Sequence, residues 1–468
     1  MDKSGGVKKK KRLSGVTTAV IAAAGLGSRL GGGEKLPKPL KSVAGVPLIA
    51  RVMTSAARAG IRRFVVVIGF NAELMRKTLP GLVPEGSELR LVENQRFREP
   101  NGVSLLLAAR SIEEPFALLM SDHIFSHDRL SLAIEHFKES GRPLIAVDAK
   151  EGFDGDMEDA TLVSVKDGQV RKIGKDLLEY DAVDTGLFVL WPDTIAEALE
   201  TAGPGASISA GMQVLADRGA LDAFYPKRGF WQDVDTGEDV RAAEKKLYAS
   251  LTKPADGFMA SRVNRRISLF FSTRLWRCGV TPNMVTSFTL ILGFLAGAAF
   301  AEGSGPGWGL LGAALFQLHS VIDGVDGELA RLLQKESTFG FWFDVTVDNI
   351  THVFVFGGIA LGQRASHEPG PWVVLGILAA LGVAASFVVM SPLLKPGRPS
   401  TGGEKSGLKK FVEKITSRDF SYLLFPLAIA GWLGIFLWIA TIGTWIYTIL
   451  VIVLRRRTPG KEAALNSF

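Results

Sequence analysis

From Phe420 to Leu454 the chain runs 35 residues without a charged side chain, and Trp372–Met390 is a second uncharged apolar stretch. Runs of that size read as membrane spans, because about 20 apolar residues in a helix cross the hydrocarbon of a bilayer. They occur only in the C-terminal half. Residues 1–256 carry 35 basic and 35 acidic side chains, so the net charge of +7 belongs wholly to the residues that follow. A chain of 468 residues divided in this way is not one soluble globule. Nor does it read as a nucleic-acid binder, since the excess charge flanks apolar helices, where it reports topology. The lone cysteine, Cys278, excludes an internal disulfide and a Cys-based zinc site. Residues 1–12 (MDKSGGVKKKKR) are basic, but no apolar core follows, so they are not a signal peptide. They read as a solvated tail or as a weak anchor to anionic lipid.

Residues 17–250 alternate short apolar runs with amphipathic stretches. Thr18–Ala24, Phe64–Gly69, Glu88–Val92, Phe116–Ser121, Pro143–Val147 and Leu187–Leu190 are strand candidates. Helical patterns fall between several of them, over Pro47–Ala59, Val103–Arg110 and Arg129–Glu139. This alternation predicts an α/β, Rossmann-like domain whose sheet has a mostly parallel core, and ligands in such sheets sit at the carboxyl ends of strands. The first strand leads into Ala24-Gly25-Leu26-Gly27-Ser28-Arg29-Leu30, then Gly31–Gly33, then Lys35-Leu36-Pro37-Lys38-Pro39-Leu40. A glycine-rich turn after a strand lets backbone N–H groups approach phosphate oxygens, and Arg29 and Lys38 add fixed positive charge. The turn is neither a Walker A loop nor a dinucleotide fingerprint.

AAGxGxRL followed by PKPL resembles the sugar-1-phosphate nucleotidylyltransferase family, over roughly residues 16–248. Asn101-Gly102-Val103-Ser104 resembles the family's base-reading turn, and Asp122 in Leu119–His123 stands where the family keeps a metal-binding aspartate. Asp184-Thr185-Gly186 resembles the acceptor-binding segment, and Trp231–Thr236 resembles the motif whose aspartate, here Asp235, supplies the second metal ligand. The resemblance implies attack of an acceptor phosphate on the α-phosphorus of a nucleoside triphosphate, with pyrophosphate leaving. Catalysis of that kind is positioning plus charge neutralisation. Magnesium would lie on Asp122 and Asp235, Arg29 would grip the departing phosphates, and Lys38 would brace the α-phosphate or the acceptor phosphate. Ala24, Gly25 and Gly27 would cradle the nucleotide. Lys175 is either a partner for the acceptor's phosphate or a surface lysine. His123 reads as a packed or hydrogen-bonded side chain rather than a ligand, and Asp233 as a support for the site or a cap for the Gly237–Leu247 helix.

In the C-terminal half the spans read as Met284–Ala301, Trp308–Leu333, Phe339–Leu361, Trp372–Met390 and two more in Phe420–Leu454, whose ~52 Å of helix exceeds one crossing. Two short spans with a turn near Gly434 account for it. Six spans put both termini on one side. Lys395–Arg418 holds seven basic residues, whereas Glu302–Gly307 holds none, so the positive-inside rule places the termini and the soluble domain in the cytosol. Met259–Gly279 interleaves Arg with Leu, Phe and Trp, as an interfacial helix does.

Asp323 and Asp326 share one helix face, as do Asp344 and Asp348 on the next helix, so a short turn between them brings four carboxylates together. Carboxylates at membrane depth are costly unless paired or bound to metal. The run Asp323-Gly324-Val325-Asp326-Gly327-Glu328-Leu329-Ala330-Arg331, eight residues, Gly340, three residues, Asp344, three residues, Asp348 matches the D-x2-D-G-x2-A-R-x8-G-x3-D-x3-D signature of the CDP-alcohol phosphatidyltransferases. This resemblance implies two Mg²⁺ (or Mn²⁺) ions on Asp323, Asp326 and Asp344, with Asp348 shared with the metals or acting as base. Gly324, Gly327 and Gly340 would let nucleotide and helices approach closely, and Arg331 would meet a phosphate or fix an aspartate. Thr281-Pro282-Asn283 resembles the family's entry to the first span. Enzymes of this signature are homodimers through the membrane domain, which the resemblance extends to this chain.

The expected divisions are a basic tail (1–15), a nucleotidylyltransferase domain (16–250), a linker with an interfacial helix (251–283), an all-α membrane domain (284–457) and a tail (458–468). One domain would make what the other consumes. The combined architecture resembles the bifunctional inositol-1-phosphate cytidylyltransferase/di-myo-inositol phosphate phosphate synthase family. That likeness implies CTP and inositol 1-phosphate giving CDP-inositol, which with a second inositol phosphate gives phosphorylated di-inositol phosphate, the precursor of a compatible solute, and CMP. It also implies a multi-pass protein of the cytoplasmic membrane. Transfer to a lipid acceptor and a choline or ethanolamine headgroup are the alternatives. A choline site normally has an aromatic cage, and the soluble half has no obvious cluster of Trp and Tyr.

Overall fold

The computed structural model describes residues 15–27, 36–151, 153, 160–251, 263–303, 305–366, 369–393 and 418–456. They divide into two compact units, Met1–Leu247 and Tyr248–Phe468. Arg29, Gly31–Gly33, the basic tail and most of Lys395–Arg418 lie outside the described residues.

The first unit is built on nine strands: β1 (Thr18–Ala23), β2 (Arg63–Ile68), β3 (Glu88–Glu93), β4 (Phe116–Met120), β5 (Leu144–Ala149), β6 (Leu162–Lys166), β7 (Gln169–Gly174), β8 (Ala182–Leu190) and β9 (Asp222–Phe224). Their order across the sheet is β3-β2-β1-β4-β8-β5-β9-β7-β6. β1, β2, β3 and β4 pair in parallel, as the strand–helix alternation implies. This is the expected parallel core; beyond β4 only β5 and β9 pair in parallel. There β8 runs antiparallel to both β4 and β5, and β6 and β7 form a hairpin. The hairpin turns at Asp167-Gly168, both at positive φ (+55° and +75°), the Asp-Gly combination that two-residue hairpin loops favour.

The central strands β1, β2 and β4 are apolar on both faces because helices cover both. Ile21, Phe64, Val66 and Leu119 face one buried cluster with Ile49 and Met53 of the helix Leu48–Arg58. Val20, Val65, Val67 and Leu118 face a second with Leu105 and Ala108 of the helix Gly102–Ala109. The carboxyl ends of β1 and β4 are therefore fixed side by side.

The second unit is helical: α1 (Arg265–Leu275), α2 (Pro282–Glu302), α3 (Pro306–Leu332), α4 (Thr338–Ala365), α5 (Trp372–Met390) and α6 (Leu433–Arg456). Thr281 caps α2 by accepting from Met284 N at 3.4 Å, and Pro282 occupies the first turn, where its missing N–H costs nothing. Ser337 caps α4 through Gly340 N at 2.9 Å, so residues 333–337 make a short turn from α3 to α4. Among the described residues four helices are long and apolar enough to cross a membrane: Pro282–Glu302, Thr338–Ala365, Trp372–Met390 and Leu433–Val453. α3 has the length but carries Asp323, Asp326, Glu328 and Arg331 in its last third.

The structure refines two expectations. The run Phe420–Leu454 does turn near Gly434, but three residues before it, at Gly431. A 3-10 turn (Arg418–Leu423) and a six-residue helix (Leu424–Ile429) end at Gly431, whose φ of +72° breaks the helix, and α6 then runs unbroken through Gly434. Gly434 is needed for another reason: a Cβ there would meet the Trp372 ring at 2.6 Å. Likewise, the tightest glycine contact between helices lies elsewhere than at Gly324, Gly327 or Gly340, where a built Cβ keeps 3.1 Å or more from its neighbours. It is made between α2 and α4, where a Cβ on Gly297 would sit 2.6 Å from Phe354 O and Gly358 abuts the Gly297 carbonyl. Small residues let backbones approach in a bilayer, where packing rather than hydrophobicity joins helices.

Candidate active sites

In the first unit the carboxyl ends of β1 and β4 open onto a cavity of about 330 Å³. Its lining includes Ala24, Gly25, Gly27, Lys38, Asn101, Ser104, Asp122 and Asp235 from the expected set, with Phe97, Glu99, Met120 and Ser121 in addition. Gly27 has φ +59°, and a Cβ there would lie 2.5 Å from Lys38 Cβ. The glycine therefore lets the turn fold against the lysine that the Pro37–Leu40 segment presents.

Lys38 is 7% exposed, and its ammonium bridges the two carboxylates expected to hold metal: Asp122 Oδ2 at 2.6 Å, and Asp235 Oδ1. Burial pulls the Lys38 pKa down, but Asp122, Asp235 and Asp233 outweigh it, so the group stays protonated with a raised pKa. Two carboxylates converging on one cation are a donor set suited to a hard divalent ion such as Mg²⁺. Asp235 is placed by a cap that the sequence contains: Thr236-Gly237-Glu238-Asp239. Asp239 Oδ2 accepts from Asp235 N and Thr236 N, and its own N–H reaches Thr236 Oγ1. Asp233 is therefore not the cap. It faces His123 Nε2 at 3.4 Å.

His123 is hydrogen-bonded, as its reading as a packed side chain implies, and it also stands with Asp122 and Asp233 in a group whose candidate ligand atoms lie within 4.8 Å of one another. Its Nδ1 lies 2.9 Å from the Thr185 carbonyl. Burial lowers its pKa, yet Asp233 and Asp122 raise it more, to about 10. Its ring position sets the acceptor-like segment: Gly186, at φ +68°, lies against His123 Nδ1, with Met120 Cγ 2.8 Å from where a Cβ would be. Asp184 accepts from Gly186 N at 2.8 Å and Thr185 donates to Ala146 O at 2.8 Å, closing a bulge in β8. Burial pushes the Asp184 carboxyl up to about 6. Asp184, Thr185, Gly186 and Lys175 do not line the cavity. Gly102 is buried beneath Ala206, and Asn101 Oδ1 accepts from Ile208 N at 2.9 Å, so both also have a packing role. Asn94, 1% exposed, donates to Ser104 Oγ at 2.9 Å and was not marked by any motif.

In the second unit the α3–α4 turn brings Asp323, Asp326 and Asp344 together, with one oxygen of each within 4.8 Å of the others. Asp323 and Asp326 are 4% and 5% exposed. Three carboxylates so close and so dry repel one another, which a divalent cation would reverse, and an all-oxygen set suits Mg²⁺ or Mn²⁺. Asp348, one turn beyond Asp344, is outside this trio. Thr286 on α2 donates to Asp326 Oδ2 at 2.5 Å, a contact no motif announced. Arg331 donates to Leu251 O at 3.2 Å and is close enough to Glu328, Glu336 and Asp326 to feel their charge. Gly340 lies 3.4 Å, measured from its would-be Cβ, from Asn283 Oδ1 at the start of α2.

Comparison with known proteins finds a family for each unit. Residues 19–222 match the MobA-like NTP transferase domain, and residues 279–453 match the CDP-alcohol phosphatidyltransferase family. The bifunctional IPC transferase and DIPP synthase of Aquifex aeolicus is 34% identical over 374 residues, 79% of this chain and 83% of that protein. Its counterpart in Thermococcus kodakarensis is 36% identical over 78% of this chain and 79% of that protein. Among solved structures, the inositol-1-phosphate CTP transferase from T. maritima is 26% identical, with a TM-score of 0.45, covering 50% of this chain and 96% of that one. Since the similarity runs through both units and most of each relative's length, the chain belongs to the family of the bifunctional IPC transferases and DIPP synthases.

Proposed function

We propose that the first unit joins CTP and inositol 1-phosphate into CDP-inositol, and that the second transfers phosphoinositol from CDP-inositol to another inositol phosphate with release of CMP. The observation that carries the reading is the presence, in one chain, of two separate carboxylate sites of the two expected kinds: Asp122 and Asp235 about Lys38, and the Asp323–Asp326–Asp344 trio. The relatives' names supply the substrate class.

In the first unit the turn at Ala24, Gly25 and Gly27 receives the triphosphate, with Asn101, Gly102 and Ser104 at the base. Lys38 braces the α-phosphate and Arg29 the departing phosphates. Asp184, Thr185, Gly186 and Lys175 serve the acceptor, the first three through the His123 side of the site. In the second unit Asp323, Asp326 and Asp344 hold the metal and Asp348 takes the proton of the attacking hydroxyl. Gly324, Gly327, Gly340 and Arg331 shape the nucleotide's surroundings. Magnesium at both sites, or manganese at the second, supplies charge neutralisation at the phosphates.

The proposal includes six crossings with a cytosolic soluble unit, and four of the described helices have the length and apolarity for a crossing. The short Leu424–Ile429 helix lies beside the start of α3, since Ala428 Cβ and Leu433 Cδ1 sit 3.3 and 3.2 Å from a Cβ built on Gly309. Ser421 donates to Gln317 Oε1 at 2.7 Å, about 12 Å further along α3. The segment thus runs alongside α3 toward the Gly431 turn. A homodimer through the membrane unit completes the reading.

Pyrophosphate release with CTP, UTP, ATP or GTP, crossed with inositol 1-phosphate, phosphocholine and phosphoethanolamine, tests the first step. CMP release from CDP-inositol with inositol 1-phosphate or diacylglycerol tests the second. Asp122→Asn should abolish only the first and Asp344→Asn only the second. Turnover with phosphocholine, or a strict need for diacylglycerol, overturns the substrate assignment.

A further inference from the structure

Glu328 has no part in the steps above, yet its side chain is completely buried. It fills a position that the signature leaves open, between Gly327 and Ala330. A carboxylate taken out of water is costly unless donors meet it. Here Ser268 Oγ donates to Oε1 at 2.8 Å, Ser272 Oγ donates to Oε2 at 2.5 Å, and the Arg265 guanidinium lies 3.7 Å away. All three partners stand on one face of α1, at i, i+3 and i+7. Ser268 also packs on the signature itself, 3.5 Å from the place of a Cβ on Gly324. The opposite face of α1 exposes Ile267 and Phe270, and Arg274 lies over the Phe270 ring at 3.7 Å, an amphipathic pattern with Glu328 as its buried anchor.

The signature turn of α3 is therefore gripped twice: by Thr286 of α2 through Asp326, and by α1 through Glu328. We propose that Glu328 is a positioning residue for phosphotransfer, which through Ser268 and Ser272 fixes α1 across α3 and so holds Asp323 and Asp326 opposite Asp344. An apolar side chain would fill the same space, but only a group with two directional acceptors selects one rotation of α1. The inference rests on reading the aspartate trio as the phosphotransfer site.

The test uses the full chain in nanodiscs and follows CMP release from CDP-inositol plus inositol 1-phosphate, its Mg²⁺ dependence, and hydrogen exchange over residues 265–275. Glu328→Ala and the Ser268→Ala/Ser272→Ala pair should each slow CMP release about tenfold, the loss expected for hydrogen bonds to a charged group. Each should raise the Mg²⁺ needed for half-maximal rate and lose exchange protection in α1, while pyrophosphate release from CTP is unchanged. Glu328→Gln, whose amide accepts from one serine and donates to the other, should recover to within about threefold. Unchanged CMP release in Glu328→Ala overturns the proposal. So does an equal loss in Ala and Gln variants with Mg²⁺ dependence unmoved, which marks a role in stability alone. Asp344→Asn separates the underlying reading: CMP release at the wild-type rate there removes the site assignment itself.

Discussion

Replacing Lys38 with methionine keeps the length of a buried side chain and removes the charge that ties Asp122 to Asp235. Breaking a buried ion pair from one side costs about 3–5 kcal/mol, because the partner charge is left uncompensated. The two carboxylates are 29% and 26% exposed, so water screens part of that loss, and about 2–3 kcal/mol is the expected penalty. In hydrogen exchange this appears as roughly 30- to 150-fold faster exchange of the core amides of β1 and β4 in the presence of EDTA. The raised pKa of Lys38 sets the pH window. Its contribution is fully present below the ordinary lysine value of 10.5 and is lost only as pH rises through the higher folded value, so the penalty should be constant across about pH 6–9. Added Mg²⁺ should restore more protection in Lys38→Met than in the wild type, because the ion no longer competes with an ammonium for the same oxygens. Pyrophosphate release should fall by about 10²–10³, as for loss of one electrostatic stabiliser. Core exchange in EDTA equal to the wild type, or a Mg²⁺ effect no larger than the wild type's, would refute the account of Lys38 as the cation that joins the two carboxylates.

Gly186→Ala combines a left-handed backbone with a Cβ pressed on His123 and Met120, and should destabilise the first unit by ~2 kcal/mol or more in urea melts. Thr286→Val removes the donor to buried Asp326 and should slow CMP release about tenfold with pyrophosphate release intact, read in the two half-reaction assays. Gly358→Leu drives a side chain into the Gly297 carbonyl of α2 and should abolish the monodisperse, detergent-solubilised protein by size-exclusion chromatography, whereas Gly357→Leu, with open space around it, should not.

Much of the site was legible because its residue types come at fixed local spacings. The signature from Asp323 to Asp348 lies on two helices joined by a short turn, so the helical period alone puts Asp323, Asp326 and Asp344 near one another. AAGxG and PKPL likewise flank one strand end, and both line the cavity. Two further signals stood in the sequence unread. Asp167-Gly168 marks the antiparallel β6–β7 hairpin, and Thr236-x-x-Asp239 marks the cap that places Asp235. For the Phe420–Leu454 run the expected turn fell three residues late, because apolarity reports length but not where a helix breaks. Gly431 and Gly434 are alike in sequence, and only the first turns left-handed, while the second makes room for Trp372.

What the sequence by itself determined is local: the membrane-spanning composition of the second half, the helices and parallel strands set by periodicity, and the aspartates that share a helix face. What only the tertiary structure decided is which distant groups meet. Lys38 sits 84 and 197 residues from the carboxylates it bridges, and Glu328 lies 60 and 56 residues from the serines that satisfy it. Sequence spacing carries no record of such pairings. They follow from burial, which forces a charged group out of water to find its partners wherever the packed chain brings them.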